Sequence, residues 1–291
     1  MRDARDGRNH DIREDIDTVE DTESPEPRAQ MRQPRVADLL ADTLRSRILR
    51  GELPDGSLLP KQSDLLEEFG VSKLAAREAL RILETEGLIT VRRGNTGGSV
   101  VHAPKRDSVA YMLALVLESR QVALPDVGFA LQQIEPFCAA LCAQRPDRHT
   151  AVVPALRRAH ESLVHAVETG DEKRATPASR EFHEAIVRLC GNETLFVVAG
   201  ALETLWTAQE SDWSEHATRA GFFPEPALRR QALDEHAQAL ALIEEGDAEG
   251  VARLLRGHLQ TAQKYPMTGV GDDQRVRATL LRPLVQPADH L

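Results

Sequence analysis

Three features of the sequence predict a mostly α protein, with an N-terminal winged helix-turn-helix followed by an all-α antiparallel helical bundle. Residues 63–87 read as two short helices joined by a tight glycine turn. Residues 88–101 read as strand, Gly-rich turn and strand. From residue 105 onward, apolar side chains keep a helical period between Gly and Pro breaks, with no convincing strand.

The 291 residues suit two domains at about 100 to 200 residues each. An apolar share of 41% with 28% charged residues is ordinary for a globular chain. The net charge of −10 argues against indiscriminate coating of nucleic acid but leaves local basic patches open. No apolar run approaches the roughly 20 residues of a membrane span, and the first 30 residues lack the apolar stretch of a signal peptide. A cytoplasmic address with no membrane partner is expected. The three cysteines, Cys138, Cys142 and Cys190, all lie in apolar helical contexts and read as core thiols rather than as a disulfide or a metal pair.

Residues 1–33 carry ten acids against six Arg and scarcely an aliphatic side chain, so they are expected to be a disordered acidic tail. The folded body divides into 34–104 and 105–265, and 266–291 lacks a periodic apolar face and reads as a second disordered tail. The first domain holds ten basic and ten acidic residues, which makes it the least acidic part of the chain.

Val36, Leu39, Leu40, Leu44, Ile48 and Leu49 keep a 3.6-residue period that stops at Gly51, giving one amphipathic helix. The polar turn at 54–57 leads through Pro60 to a short helix around 63–69, ended by Gly70 in the position favoured for a left-handed cap. Ser72 caps the next helix, whose inward stripe is Ala76, Ala79, Leu80 and Leu83. The wing follows as 88–93, the glycine turn 94–98, and 99–101. In the second half, helices are expected at 107–119, 125–144, 150–169, 172–190, 194–216, 225–245 and 248–264.

The start of the second helix of a helix-turn-helix enters the major groove of DNA, so side chains there must reach base edges or phosphates. Lys73 and Arg77 are one turn apart on the face opposite the apolar stripe and can donate to guanine O6 and N7. Ser72 and the free backbone N–H groups beside it suit phosphate, and Arg92 and Arg93 precede the wing's glycines. Single basic residues are usually solvated surface charges; their joint placement at helix start and wing tip points to double-stranded DNA.

The 58-residue stretch LRSRILRGELPDGSLLPKQSDLLEEFGVSKLAAREALRILETEGLITVRRGNTGGSVV (44–101) resembles the GntR family of bacterial transcription regulators. The resemblance implies DNA contacts from Ser72, Lys73, Arg77, Arg93 and Gly94. Ser63 stands where the family usually carries a basic residue, and Leu74 and Ala75 where it often carries small hydroxylated ones. The operator is therefore expected to differ from the commonest family sequence, with Leu74 against a thymine methyl.

The helical half resembles the FCD ligand-sensing domain of the FadR branch, on IEPFCAALCA (134–143), FHEAIVRLCGNETL (182–195), DEHAQALALIEEGD (234–247) and GHL (257–259). That resemblance implies a divalent metal, commonly zinc, held by an Asp and three His and helping to bind a small carboxylate effector. His183, His236 and His258 each sit among apolar neighbours at helical spacing and are expected to face the bundle interior, and three imidazoles with one open position form a recognised zinc site. Nickel and manganese are the alternatives. Ser179 stands one turn before His183 in place of the family's Asp, and Leu131 stands four residues before Glu135 where an Arg is frequent. Both departures favour a different, more apolar effector and keep a metal-free regulator with an acyl-type effector as the alternative. Ser179, Leu131, Glu135 and Asn192 are the expected effector-pocket residues, although Asn192 after Gly191 also reads as a plain helix terminator. Phe137, Phe196, Trp206 and Trp213 could line such a pocket, core packing being the default. The remaining histidines, His160 among them, read as surface or loop residues.

The expected output is a homodimeric repressor or activator on a palindromic operator. A metal-dependent enzyme is the competing class, disfavoured because no HExxH arrangement is present and nothing supplies an oxyanion hole. A structural nucleoid protein with a vestigial sensing site is the third.

Overall fold

The computed structural model describes residues 35–92, 98–219, 226–263 and 274–282, without the side chains of 172, 173, 213–219 and 226. The chain splits into two compact units between His102 and Ala103. The acidic segment 1–33, Arg93, Gly94 and the Trp213 side chain lie outside the described residues.

In the first unit, α1 (Val36–Leu49) buries Ala37, Leu40, Ala41, Leu44 and Ile48, the stripe its period predicts. Helix α2 (Gln62–Phe69) buries Leu65 and ends at Gly70, whose φ of 61° is the left-handed geometry that glycine adopts without a Cβ penalty. This sharp stop allows α3 (Lys73–Thr85) to begin almost at once. Strands β1 (Ile89–Arg92) and β2 (Gly98–Val101) pair antiparallel, with Ile89 opposite Val101 and Arg92 opposite Gly98. Leu44, Leu65, Leu83, Ile89 and Val101 meet in one core, which fixes α3 with its other face outward.

In the second unit, the described residues form seven α-helices: α4 (Arg106–Ser119), α5 (Leu124–Gln144), α6 (Val153–Glu168), α7 (Glu172–Leu189), α8 (Glu193–Arg219), α9 (Pro226–Glu245) and α10 (Ala248–Ala262). A π-helical turn, Arg148–Val152, precedes α6 where the sequence predicts regular helix from 150. Asp171 and Asp247 cap α7 and α10 by accepting backbone N–H bonds from Arg174 and Gly250. Helices α5 and α10 pack together, as do α6 with α7 and α4 with α8.

Two apolar clusters fill the bundle. One gathers Leu156, Phe182, Ile186, Ile243 and Leu255, with Cys138, Cys142 and Cys190 as buried free thiols. Burial comes first among the causes that push the Cys142 thiol up to about 12. The other gathers Ala110, Leu131, Leu205 and Trp206. Ile134 packs against both, so the stretch of α5 around Glu135 lies at their junction.

The expectation of a structureless tail from 266 is corrected for residues 274–282. Leu124 N donates to Gln274 O at 2.8 Å, Val276 N donates to Val122 O at 3.1 Å, and a 3-10 turn follows at Ala278–Leu281. Val276, Ala278 and Leu281 are buried in the Trp206 cluster. Backbone pairing to an extended neighbour holds this segment in place of a helical period, and this kind of order leaves little trace in local sequence.

Candidate metal centre and candidate nucleic-acid interface

Helices α7, α9 and α10 each bring one histidine to the bundle interior. His183, His236 and His258 are buried, and their Nε2 atoms lie 3.2, 3.2 and 3.3 Å apart. Among the described residues they are the group whose ligand atoms converge closely enough to hold a metal ion. Their orientation is set from outside the cluster. His183 Nδ1 donates to Oε1 of the buried Glu135, and His258 Nδ1 lies 2.6 Å from Glu235 Oε2. A carboxylate on Nδ1 fixes the tautomer so that Nε2 carries the lone pair. Phe182 stacks on His236 with ring centroids 4.3 Å apart, while His236 Nδ1 has no hydrogen-bond partner among the described residues.

Burial, followed by the Arg180 charge and His258, holds His183 well below the ordinary imidazole range. Burial and the two neighbouring imidazoles do the same for His236. Neutral rings with converging lone pairs repel one another, and a cation removes that repulsion. Tetrahedral Zn–N bonds of about 2.0–2.1 Å give N···N edges of about 3.3–3.4 Å, close to the spacing present, so the donor set fits a divalent ion.

The expected pocket residues occupy different surroundings. Glu135 braces His183. Ser179, one turn before His183, is half-buried and brings no acidic ligand. Leu131 is fully buried core, Asn192 is exposed and accepts from Leu195 N at 2.9 Å as the cap of α8, and Phe137 is 55% exposed. Phe196 packs on the Phe182 cluster and Trp206 is core. Sequence reasoning missed Glu235, the buried Arg180 and Glu203, and the partly buried Glu210. It also missed His160, which is half-buried on α6, edge-on to Phe182 with ring centroids 6.5 Å apart, rather than on the surface.

In the first unit, Ser72 Oγ accepts from Ala75 N at 3.2 Å, so the predicted cap forms. Lys73, Leu74 and Arg77 project from the exposed start of α3, opposite the buried Ala76, Ala79 and Leu83. Leu74 is 79% exposed. Arg45 and Arg47 pair with Glu86 and Glu68, whereas Lys73, Arg77 and Arg92 make no ion pair among the described residues. Arg81 is exposed and continues the row one turn beyond Arg77, a position the four-residue spacing could have flagged.

The two units match two known families: "Bacterial regulatory proteins, gntR family" over residues 37–98, and "FCD domain" over 126–261. An Escherichia coli (strain K12) protein provisionally named L-lactate dehydrogenase operon regulatory protein is 25% identical over 259 residues, covering 88% of this chain and 94% of the relative. The Uxu operon regulator of Haemophilus influenzae is 22% identical, covering 77% and 79% respectively. A solved structure of Streptococcus agalactiae GntR aligns with a TM-score of 0.59 at 22% identity, over 78% of this chain and 99% of that one, and shows the same fold. No helix among the described residues is long and apolar enough to cross a membrane. The chain belongs to the GntR family of bacterial regulatory proteins, as a DNA-binding transcriptional regulator with a C-terminal FCD ligand-binding domain.

Proposed function

We propose that a small-molecule effector, bound with a divalent metal at His183, His236 and His258, controls the affinity of a homodimer for a palindromic operator. The convergence of three buried Nε2 atoms within 3.3 Å of one another carries this reading. Zinc is the first choice for three imidazoles, with nickel or manganese as alternatives. Such an ion would offer its open coordination position to a donor atom of the effector. The effector shifts DNA affinity only by its differential affinity for two arrangements of the reading domains, typically about 1–3 kcal/mol of coupling.

On DNA, Lys73 and Arg77 read guanine edges, Leu74 meets a thymine methyl, Ser72 and the backbone beside it take phosphate, and Arg92 with Arg93 and Gly94 reach from the wing. Two relatives named for operons support an operon as the regulated unit. Val109, Met112 and Val116 leave an exposed apolar stripe on α4, which supports pairing with a second copy. We read the metal site as a sensor, not a catalyst, because both carboxylates that reach the cluster, Glu135 and Glu235, are spent on imidazole Nδ1.

Elemental analysis of the purified protein and of His236→Ala tests this. About one metal per chain, lost in the variant, is expected. A metal-free wild type would turn the reading to the alternative that Ser179 and Leu131 favour, an apolar or acyl-type effector without metal. Turnover by the metal-loaded protein would overturn the sensor assignment.

A further inference from the structure

The outer face of α3 carries a row of cations that the folded domain leaves unpaired. Lys73, Arg77 and Arg81 follow one another at four-residue spacing and are exposed, as is Arg92 at the end of β1. None of the four makes an ion pair among the described residues. Of the acids on and beside α3, Glu78 stands about 100° around the helix from Arg77. Glu84 Oε1 accepts from Val91 N at 3.2 Å, and Glu86 pairs with Arg45. The row therefore keeps its positive charge for a partner outside the described fold.

The same chain holds a matching anion. Residues 11–26 (DIREDIDTVEDTESPE), outside the described residues, contain eight acids against Arg13 alone, a net charge of −7. At full extension the run presents about one negative charge per 8 Å, against about one per 3.4 Å along a DNA strand, so it is the weaker polyanion and DNA displaces it. Eight residues, 27–34, join the run to Arg35, where α1 begins. They reach at most about 26–29 Å. Helix α1 packs directly on α3, and packed helix axes lie only about 8–10 Å apart. So short a connection keeps the run near the face at millimolar effective concentration. A contact as weak as about 0.1 mM, the weak end of non-specific DNA binding, then blocks the face about tenfold.

We propose that residues 11–26 dock on Lys73, Arg77, Arg81 and Arg92 of their own chain when DNA is absent, so that the chain carries its own competitor for the reading face. This rests on the reading of α3 as the face that meets DNA. Competition of this kind lowers affinity for operator and unrelated sequence by the same factor. It is also sensitive to salt, because the docked pairs are exposed charges that ionic strength screens. The brake is strongest at low salt and fades as salt rises.

The test uses the full chain, as wild type and as a variant in which the eight acids of 11–26 are replaced by their amides. Fluorescence anisotropy on operator and on unrelated duplex reads affinity at about 50 and about 300 mM salt. The amide variant is expected to bind both DNAs about tenfold more tightly at the lower salt and within about twofold of wild type at the higher. Removing negative charge at a distance would also raise affinity, so docking is read directly by photocrosslinking from p-benzoylphenylalanine in place of Leu74, which is 79% exposed beside the row. Without DNA, crosslinks to 11–26 are expected, and operator should abolish them. Equal affinities at low salt, or tighter binding by the amide variant with no crosslink, overturn the proposal. Co-expressing an amide-variant chain that bears the photoreactive residue with an intact chain that bears Leu74 reports docking between copies. A crosslink there places a second copy's run on the face and overturns docking within one chain. Arg77→Ala in the amide variant, where no competitor remains, checks the reading of α3 separately. Unchanged DNA affinity there overturns that reading and this proposal with it, whereas lost affinity without any crosslink in wild type overturns this proposal alone.

Discussion

His258 on α10 and Glu235 on α9 are joined by a 2.6 Å contact between Nδ1 and Oε2. Glu235 adjoins His236 in sequence, so one turn of α9 supplies one imidazole to the cluster and braces another. The hydrogen bond from His258, ahead of other causes, holds the Glu235 carboxyl below its ordinary range, as expected for a carboxylate accepting an imidazole N–H. Glu235→Gln should lower Zn2+ affinity about tenfold, read by chelator competition. Because Glu235 is only partly buried, the metal-free melting temperature should move by no more than a few degrees. Unchanged affinity would mean that the brace does not orient His258.

Burial of His236 has a consequence for pH. Its folded pKa lies below the unfolded value of about 6.5, so its contribution to stability is intact above that pH and is lost as pH falls toward the folded value. The unfolded chain takes up a proton that the fold refuses. Buried carboxyls such as Glu203 are shifted upward and act with the opposite sign, so the informative quantity is a difference in which they cancel. In metal-free protein, the urea-derived stability of wild type minus that of His236→Gln should fall by up to about 1.4 kcal/mol per pH unit below pH 6.5. A flat or rising difference would show that the fold does not hold this ring neutral.

Arg77 lies one turn beyond Lys73 on the exposed face of α3, and neither forms an ion pair among the described residues. Arg77→Ala should therefore cost operator affinity without costing stability. About 1–3 kcal/mol is expected for a bidentate guanine contact, with relaxed preference at that base pair. Lys73→Ala should weaken binding too. Fluorescence anisotropy on matched and base-substituted operators separates base reading from phosphate contact, since a phosphate-only role for Arg77 would weaken all sequences alike.

The helices were legible because each rule is local. The amphipathic stripes of α1 and α3, the cap at Ser72 and the left-handed stop at Gly70 are all written within a turn or two of where they act. Inward-facing histidines were legible for the same reason. Their braces were not: Glu135 precedes His183 by 48 residues, and Glu235 precedes His258 by 23. No helical period marks which buried carboxylate will meet which imidazole, and the approach of Arg180 Nη1 to Glu203 Oε2, at 3.7 Å, is likewise a product of packing α7 against α8. Residues 274–282 escaped because their order comes from backbone bonds to Val122 and Leu124 rather than from a stripe of their own.

That last segment can be tested directly. Leu281 is fully buried in the cluster with Trp206 and Leu131. Leu281→Ala should destabilise the protein by about 2–4 kcal/mol, the usual cost of removing a buried leucine side chain from a packed core. Denaturant unfolding reads the change, with retained helical circular dichroism as a control. A loss below about 0.5 kcal/mol, the range of surface substitutions, would mean that the segment does not complete the core.

Leu74 poses the sharper question for recognition. A leucine that is 79% exposed at the start of the reading helix adds nothing to the core, and solvation of its apolar surface is unfavourable until something covers it. A thymine methyl in the major groove is the partner its position allows, because that methyl is the apolar group on a base edge there. Leu74→Asn should leave the melting temperature within about a degree or two and shift the preferred base at one position of each half-site away from thymine. A discrimination of about 1–3 kcal/mol is expected at that pair. Selection from a randomised operator library, run on wild type and variant in parallel, gives the answer. Identical selected sequences would show that Leu74 faces the DNA without reading it, and would leave sequence preference to Lys73, Arg77 and the wing.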